Sequence, residues 1–187
     1  MSLGSQEREM LLSLARSTVV SAARRMSRGG GDPPSPLSPG LSEKSGAFVT
    51  LQKSGVLRGC IGALVADKPL WEAVRNSAWS AAREDHRFLP VVPEEVDDIT
   101  IEVSVLSPLS EIPPGQEFTP GRHGIVLKKN GRRGVFLPKV AEEMGWTREQ
   151  TLSALCKKAG LPVNAWQIPG MRFWIFTVES FSDARYD

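Results

Sequence analysis

The sequence predicts an α+β fold built mainly on antiparallel sheet. Three observations lead there. Two pairs of strand-like runs are joined by short turn signals, Gln52-Lys53-Ser54-Gly55 and Asn130-Gly131, and Asn-Gly is favoured in such hairpins because both turn positions need positive φ. Ile99-Thr100-Ile101-Glu102-Val103-Ser104-Val105 alternates strictly, which puts its isoleucines and valines on one face. The helical stretches are not uniformly interleaved with the strands, as a parallel sheet would require.

Taken in order, Ser5 to Arg28 reads as an amphipathic helix. Met10, Leu14, Thr18, Ala22 and Met26 recur four apart, with Leu11, Ala15 and Val19 beside them. Gly29-Gly30-Gly31-Asp32-Pro33-Pro34-Ser35-Pro36 stops it, since three glycines and repeated prolines sustain neither a helix nor a sheet interior. Ser27 to Lys44 is expected to be an exposed, semi-rigid loop that contributes little to folding. Ala47 to Leu51 is a strand, and Val56-Leu57-Arg58 begins its return, which places Cys60 at the far end of a hairpin. Pro69 suits a helix start. Leu70, Val74, Ala78 and Ala82 form that helix's apolar stripe, with Trp71 and Trp79 packing alongside. Arg83 to Arg87 follow as a charged run, which Phe88 and Pro90 are expected to anchor. Ile125 to Lys129 and Arg132 to Leu137 make the second hairpin. Thr147-Arg148-Glu149-Gln150 is a capping box. It opens a helix with Leu152, Leu155, Cys156 and Ala159 inward and Gly160 at its end. Arg172 to Val178 is almost continuously apolar, the pattern of a central strand. The expected organisation is a helix at 1–26 packing on the domain, a loop at 27–44 and the domain proper at 45–187.

Composition removes several function classes. A chain of 187 residues, 41% hydrophobic, can bury a substantial core in one domain or two small lobes. Its 23 basic and 21 acidic residues leave a net charge of +2, which argues against nucleic acid or an acidic membrane as partner. Two cysteines, Cys60 and Cys156, are too few for a disulfide framework. Ser2 to Ser13 contains Glu7, Arg8 and Glu9, so no signal-peptide core is present there. No apolar run approaches the ~20 residues of a membrane helix. The expectation is a cytoplasmic protein with reduced thiols.

The chemistry centres on Leu57-Arg58-Gly59-Cys60-Ile61-Gly62. Read as a turn, Gly59-Cys60-Ile61-Gly62 presents a thiol and several bare N–H groups, and Arg58 could stabilise a thiolate. A lone cysteine after an apolar strand also fits as a small packing residue. A nucleophilic thiol wants a base. Of the two histidines, His123, flanked by Gly121 and Gly124, is the preferred partner, while His86 sits in a charged run and reads as solvated. Cys60, His123 and Asp85 could ligate a metal, but none of the close-spaced pairs that mark zinc sites occurs. Lys128, Lys129, Arg132 and Arg133 make a basic hairpin tip that could touch phosphate, although such a tip is commonly a solvated edge.

These segments, in this order, resemble the AMMECR domain family, the "A" protein of the AmmeMemoRadiSam gene set. The resemblance lies in Gly46 to Leu51, Leu57 to Gly62, Asp85 to Pro90 and Ile101 to Leu106, and continues through Gly121 to Gly124, Phe136 to Val140, Gly145-Trp146 and Cys156 to Leu161. It implies a two-lobed α+β fold, a larger lobe of antiparallel sheet and helices with a smaller β-rich lobe, and a cavity at the cysteine motif. It also implies a MEMO-type protein and a radical-SAM protein as pathway partners, and names no cofactor. Joined to the residue chemistry, it yields two candidate functions. In one, the protein is an enzyme or enzyme component with Cys60 as nucleophile or redox thiol and His123 as its base. Arg58 and Arg87 would then bind an anionic substrate group, Asp85 would orient one of them, and Gly59 and Gly62 would let the substrate approach. In the other, the protein is a noncatalytic module that binds a small molecule or protein.

Overall fold

The computed structural model describes residues 3–26, 33–113 and 118–184. The chain divides into two units, residues 1–106 with 179–187 and residues 107–178. The fold is α+β, with one four-stranded sheet in each unit.

The first unit opens with α1 (Ser5–Ala23), whose buried face carries Leu11, Leu14, Ala15, Thr18, Val19 and Ala22. The helix stops short of the expected Arg28. Arg25 turns left-handed at φ 57° and Met26 is exposed, while residues 27–32 of the expected loop lie outside the described residues. Then come α2 (Pro39–Ser42), β1 (Ala47–Lys53), β2 (Val56–Ala63) and α3 (Leu70–Arg83), followed by a 3-10 turn (Pro93–Asp98) and β3 (Ile99–Leu106). The sheet order is β2-β1-β3-β8, with β8 (Val178–Ser182) supplied by the chain's end. Ala47, Val49 and Leu51 of β1 and Ile101 and Val103 of β3 are fully buried in one cluster with Leu11, Val19 and Val74. α1 and α3 therefore cover a single face of this sheet. Ser54 and Gly55 both take positive φ and join β1 to β2 as a two-residue turn.

The stretch at 33–44 is not a passive loop. Ser38 caps α2 by accepting from the Leu41 N–H, and its hydroxyl bonds the Glu7 carboxylate of α1. Leu41 is fully buried in the core cluster. Burying an isolated leucine turns a proline-rich connector into a structural clasp. Leu41→Ala should therefore cost about 2–5 kcal/mol, as large-to-small core changes do. Urea unfolding would measure this, and a loss below about 0.5 kcal/mol, typical of a surface site, would restore the loop to a mere connector.

In the second unit the sheet order is β4-β7-β5-β6, formed by β4 (Ser110–Ile112), β5 (Gly124–Lys129), β6 (Arg132–Phe136) and β7 (Arg172–Phe176). Asn130 and Gly131, at φ 50° and 77°, close the β5–β6 hairpin. Between β6 and β7 lie α4 (Pro138–Glu143) and α5 (Arg148–Lys158). The Thr147 capping box forms as expected: the Gln150 N–H donates to Thr147 Oγ1, and the Thr147 N–H donates to Gln150 Oε1. Leu152, Leu155 and Cys156 of α5 pack on Ile125, Leu127 and Phe173. The run expected as one strand, Arg172 to Val178, is divided at Thr177 into β7 and β8, which belong to different sheets.

Candidate functional site

Cys60 lies inside β2, not in a turn, and neither flanking glycine has positive φ. Both are glycine for want of space. A Cβ on Gly59 would stand 2.3 Å from the Ala81 carbonyl oxygen of α3, and one on Gly62 would stand 2.3 Å from the Ala47 oxygen and 2.4 Å from the Phe48 ring. The bare N–H groups of the expected Gly-Cys-x-Gly turn are thus replaced by a strand pressed against a helix.

A β-bulge decides which way Cys60 faces. From the turn, Lys53 pairs with Val56 and Gln52 with Leu57, but Leu51 then pairs with Gly59, so Arg58 is the extra residue. Without it Cys60 would sit opposite Val49 and share that residue's buried face. With it Cys60 sits opposite Thr50, because one residue of slip moves every later side chain to the other side of the sheet. Thr50 is also opposite Glu102 on β3. Cys60, Thr50 and Glu102 therefore form a thiol–hydroxyl–carboxylate row across three strands, on the face away from α1 and α3. The Thr50 hydroxyl donates to Cys60 Sγ at 3.3 Å.

Arg58 serves the bulge. Its Nε and Nη2 donate to Glu95 Oε2 and Oε1 at 3.1 and 2.6 Å, fastening β2 to the 3-10 turn. Burial opposes the charge on Glu95, yet the Arg58 fork, the Val92 N–H and Lys53 together hold its carboxyl below the usual value. The structure thus gives Arg58 a carboxylate as its partner in place of the thiol it was expected to serve.

β2 is the edge of its sheet, and the backbone of Cys60 is met there by side chains instead of a further strand. Its N–H donates to Asp85 Oδ2 at 2.9 Å, and its carbonyl accepts from Arg87 Nη2 at 3.3 Å. Asp85 follows the end of α3 and is only 4% exposed. Its carboxylate also accepts from Arg87 Nε at 2.9 Å, Arg87 Nη2 at 2.7 Å and the Arg87 N–H at 3.3 Å. The Arg87 fork holds the Asp85 carboxyl far below the usual carboxylate range; burial pulls the other way, and the two N–H donors add to the depression. Reciprocally, Asp85 raises the affinity of Arg87 for its proton, and Cys60 adds in the same direction. Val91, 1% exposed, anchors the segment through its N–H to Ala82 O. This replaces the expected Pro90, which is exposed. His86 is also exposed.

His123 belongs to the second unit and precedes β5. Its Nδ1 accepts from the Thr119 N–H at 3.1 Å, and its own N–H donates to Thr119 O at 2.9 Å. An accepting Nδ1 carries no proton, so the neutral ring keeps its proton on Nε2 and is set to donate there. Acting as a base would require it to release Thr119. The expected Cys60–His123 pair thus has one member in each unit.

Sequence reasoning missed Thr50, Glu95 and Glu102. Thr50 breaks the apolar pattern of β1, which signals a polar face, but the bulge that brings Cys60 onto that face leaves no such mark. Among the described residues no group of three or more His, Cys, Asp or Glu is arranged to hold a metal ion, and no helix is long and apolar enough to cross a membrane.

Comparison with known proteins gives a consistent picture. The family model described as AMMECR1 matches residues 12–181. A protein of Thermococcus gammatolerans is 43% identical over 162 residues, covering 81% of this chain and 79% of its own length. Protein TK0174 of Thermococcus kodakarensis is 41% identical over 185 residues, covering 94% and 89%. The crystal structure of the uncharacterized protein PH0010 from Pyrococcus horikoshii matches with a TM-score of 0.87 at 37% identity, covering 96% of this chain and 93% of that one.

Proposed function

This chain belongs to the AMMECR1 family, and on that premise we propose that it is a cysteine-dependent enzyme, or a component of one, acting on a small anionic substrate. Cys60 is the reacting thiol and Arg87 the group that recognises the anion. The observation that carries this is the bulge at Arg58, which moves Cys60 off the face packed on α1 and α3 and leaves it half-buried beside the buried Thr50. The surrounding bonds fit a positioned thiol. Cys60 is held at its N–H, its carbonyl and its sulfur. Arg87 is about half exposed, and its Nη1 has no hydrogen-bond partner among the described residues. Asp85 holds the guanidinium in place by its Nε and Nη2, which leaves the Nη1 side to meet a carboxylate or phosphate group. The proposed setting is cytoplasmic, in a pathway with a MEMO-type and a radical-SAM protein.

A second reading, a noncatalytic module that holds a small molecule or a protein, is favoured by the one bond to Cys60 Sγ among the described residues. That bond comes from a donor, Thr50, which withdraws no proton from the thiol. Thiol chemistry separates the two. Cys156 is fully buried and burial pushes its thiol up, so neutral-pH alkylation followed by mass spectrometry should mark Cys60 first. Faster labelling of Cys156 would reverse the assignment of the two cysteines. Iodoacetate should gain on neutral iodoacetamide at Cys60, and Arg87→Gln should abolish that gain; an unchanged ratio removes Arg87 from the site. Metabolite capture then compares native protein with Cys60→Ala. A bound anion turned over only by the native thiol supports the enzyme, whereas equal binding without turnover supports the module.

A further inference from the structure

The tip of the β5–β6 hairpin, in the second unit, carries a cluster of cations. Lys128 stands opposite Arg133 on β6 and opposite Arg172 on β7, so three cations form one row across three adjacent strands. Lys129 and Arg132 pair at the hairpin's end. Like charges directly opposite one another destabilise a sheet, and a single lysine suffices to protect an edge. This row therefore exceeds what edge protection needs. Among the described residues one carboxylate answers it: Glu111 binds Arg172 through two 2.8 Å bonds. Lys129 Nζ donates to the Pro169 carbonyl, and Lys128 and Arg172 rest against the Trp174 ring at 5.4 and 4.8 Å. Arg133 makes no ion pair among the described residues.

These five basic residues border a groove of about 380 Å³ together with Asn130, Gly131 and Gly170. That volume lies in the range of small-molecule sites. The charge balance of the whole chain conceals the field here. Residues 107–178 hold ten Lys or Arg against five Glu, a net +5, so the remainder of the chain carries −3 of the overall +2. The small net charge that argues against nucleic acid or an acidic membrane is thus an average over two units of opposite sign. Trp174 is taken up in placing Lys128 and Arg172 and is not a free plate for stacking bases, which favours a compact anion over a nucleic-acid strand.

We propose that this groove binds a di- or triphosphate group. Titration calorimetry on the full chain at physiological salt would use inorganic tripolyphosphate and a nucleoside triphosphate, with sulfate as the single-anion control. Either phosphate probe should bind at least about tenfold more tightly than sulfate, since each added charge-assisted contact contributes on that order. Comparison of the two then names the source: equal affinity assigns the site to the phosphate chain, and tighter nucleotide binding assigns it to a nucleotide. Lys128→Gln and Arg133→Gln should each weaken binding about tenfold. Both should leave the melting temperature unchanged or slightly raised, because they relieve like-charge repulsion. Glu111→Gln, which releases Arg172, should tighten binding. Affinity for phosphate probes no greater than for sulfate, binding indifferent to Lys128→Gln and Arg133→Gln, or single-stranded oligonucleotides binding far more tightly than tripolyphosphate would each overturn the proposal.

Discussion

Asp85→Ala should cost about 3 kcal/mol of stability and lower the melting temperature by roughly 10 °C, the shift such a loss gives in a protein of this size. The carboxylate is nearly buried and accepts four hydrogen bonds, one from Cys60 and three from Arg87. Its removal leaves the Cys60 N–H at the sheet edge without an acceptor and Arg87 without a counter-charge. Breaking a fully buried pair costs about 3–5 kcal/mol. Arg87 is about half exposed, so water compensates part of the loss and the lower end applies. Asp85→Asn should cost less, because an amide oxygen can still accept from Cys60.

The pH dependence follows from the direction of the shift. The folded-state value of Asp85 is depressed below its ordinary 3.8. The unfolded chain therefore takes up a proton first as pH falls. The stabilisation is fully present above the ordinary carboxylate value and drains away as pH drops below it toward the depressed folded value. The difference in stability between native protein and Asp85→Asn should thus be constant near neutrality and shrink below roughly pH 4. A difference that holds its full size under acid would mean that Asp85 contributes by shape alone.

The sequence was most legible where local chemistry has one structural answer. Asn130-Gly131 announces positive φ, and Thr147 to Gln150 satisfies its own helix end, while Gln52 to Gly55 announces a turn of which only Ser54 and Gly55 lie outside the strands. Asp85 and Arg87, two residues apart, could be joined on sequence alone. Arg58 and Glu95, 37 apart, could not, because nothing near either residue announces the other. The division of the final apolar run at Thr177 leaves no trace in hydrophobicity, since both halves are strands and only their sheets differ. Leu41 shows the opposite limit: glycines and prolines around it describe the backbone's freedom and say nothing of where one side chain docks. The bulge at Arg58 is the most consequential omission. Counting back from the Ser54-Gly55 turn pairs Cys60 with Val49 and buries it. A single unpaired residue moves it to the other face of the sheet, half-buried beside Thr50, and a bulge has no composition of its own.

Gly59→Val should be the most damaging single change in the cysteine motif, costing about 3 kcal/mol or more. Even the first added carbon would lie 2.3 Å from the Ala81 oxygen and 3.2 Å from its carbonyl carbon. Those are backbone atoms of α3 and cannot rotate aside. α3 cannot retreat cheaply either, because Leu70, Val74 and Ala78 are buried in the core that β1 and β3 share. Cys60→Ser adds no bulk, keeps a hydrogen-bonding atom beside Thr50 and should cost less than about 1 kcal/mol. The pair of variants divides the motif into two jobs. Gly59 sets the closeness of helix and strand, and through it the position of Asp85 at the end of α3. Cys60 is then free to be selected for its sulfur. In chemical denaturation Gly59→Val should unfold at much lower denaturant while Cys60→Ser tracks the native protein and loses only its thiol reactivity. A Gly59→Val protein as stable as native would show that α3 stands farther from β2. A Cys60→Ser protein destabilised by several kcal/mol would instead make the cysteine a packing residue, and the chemistry would have to be sought elsewhere.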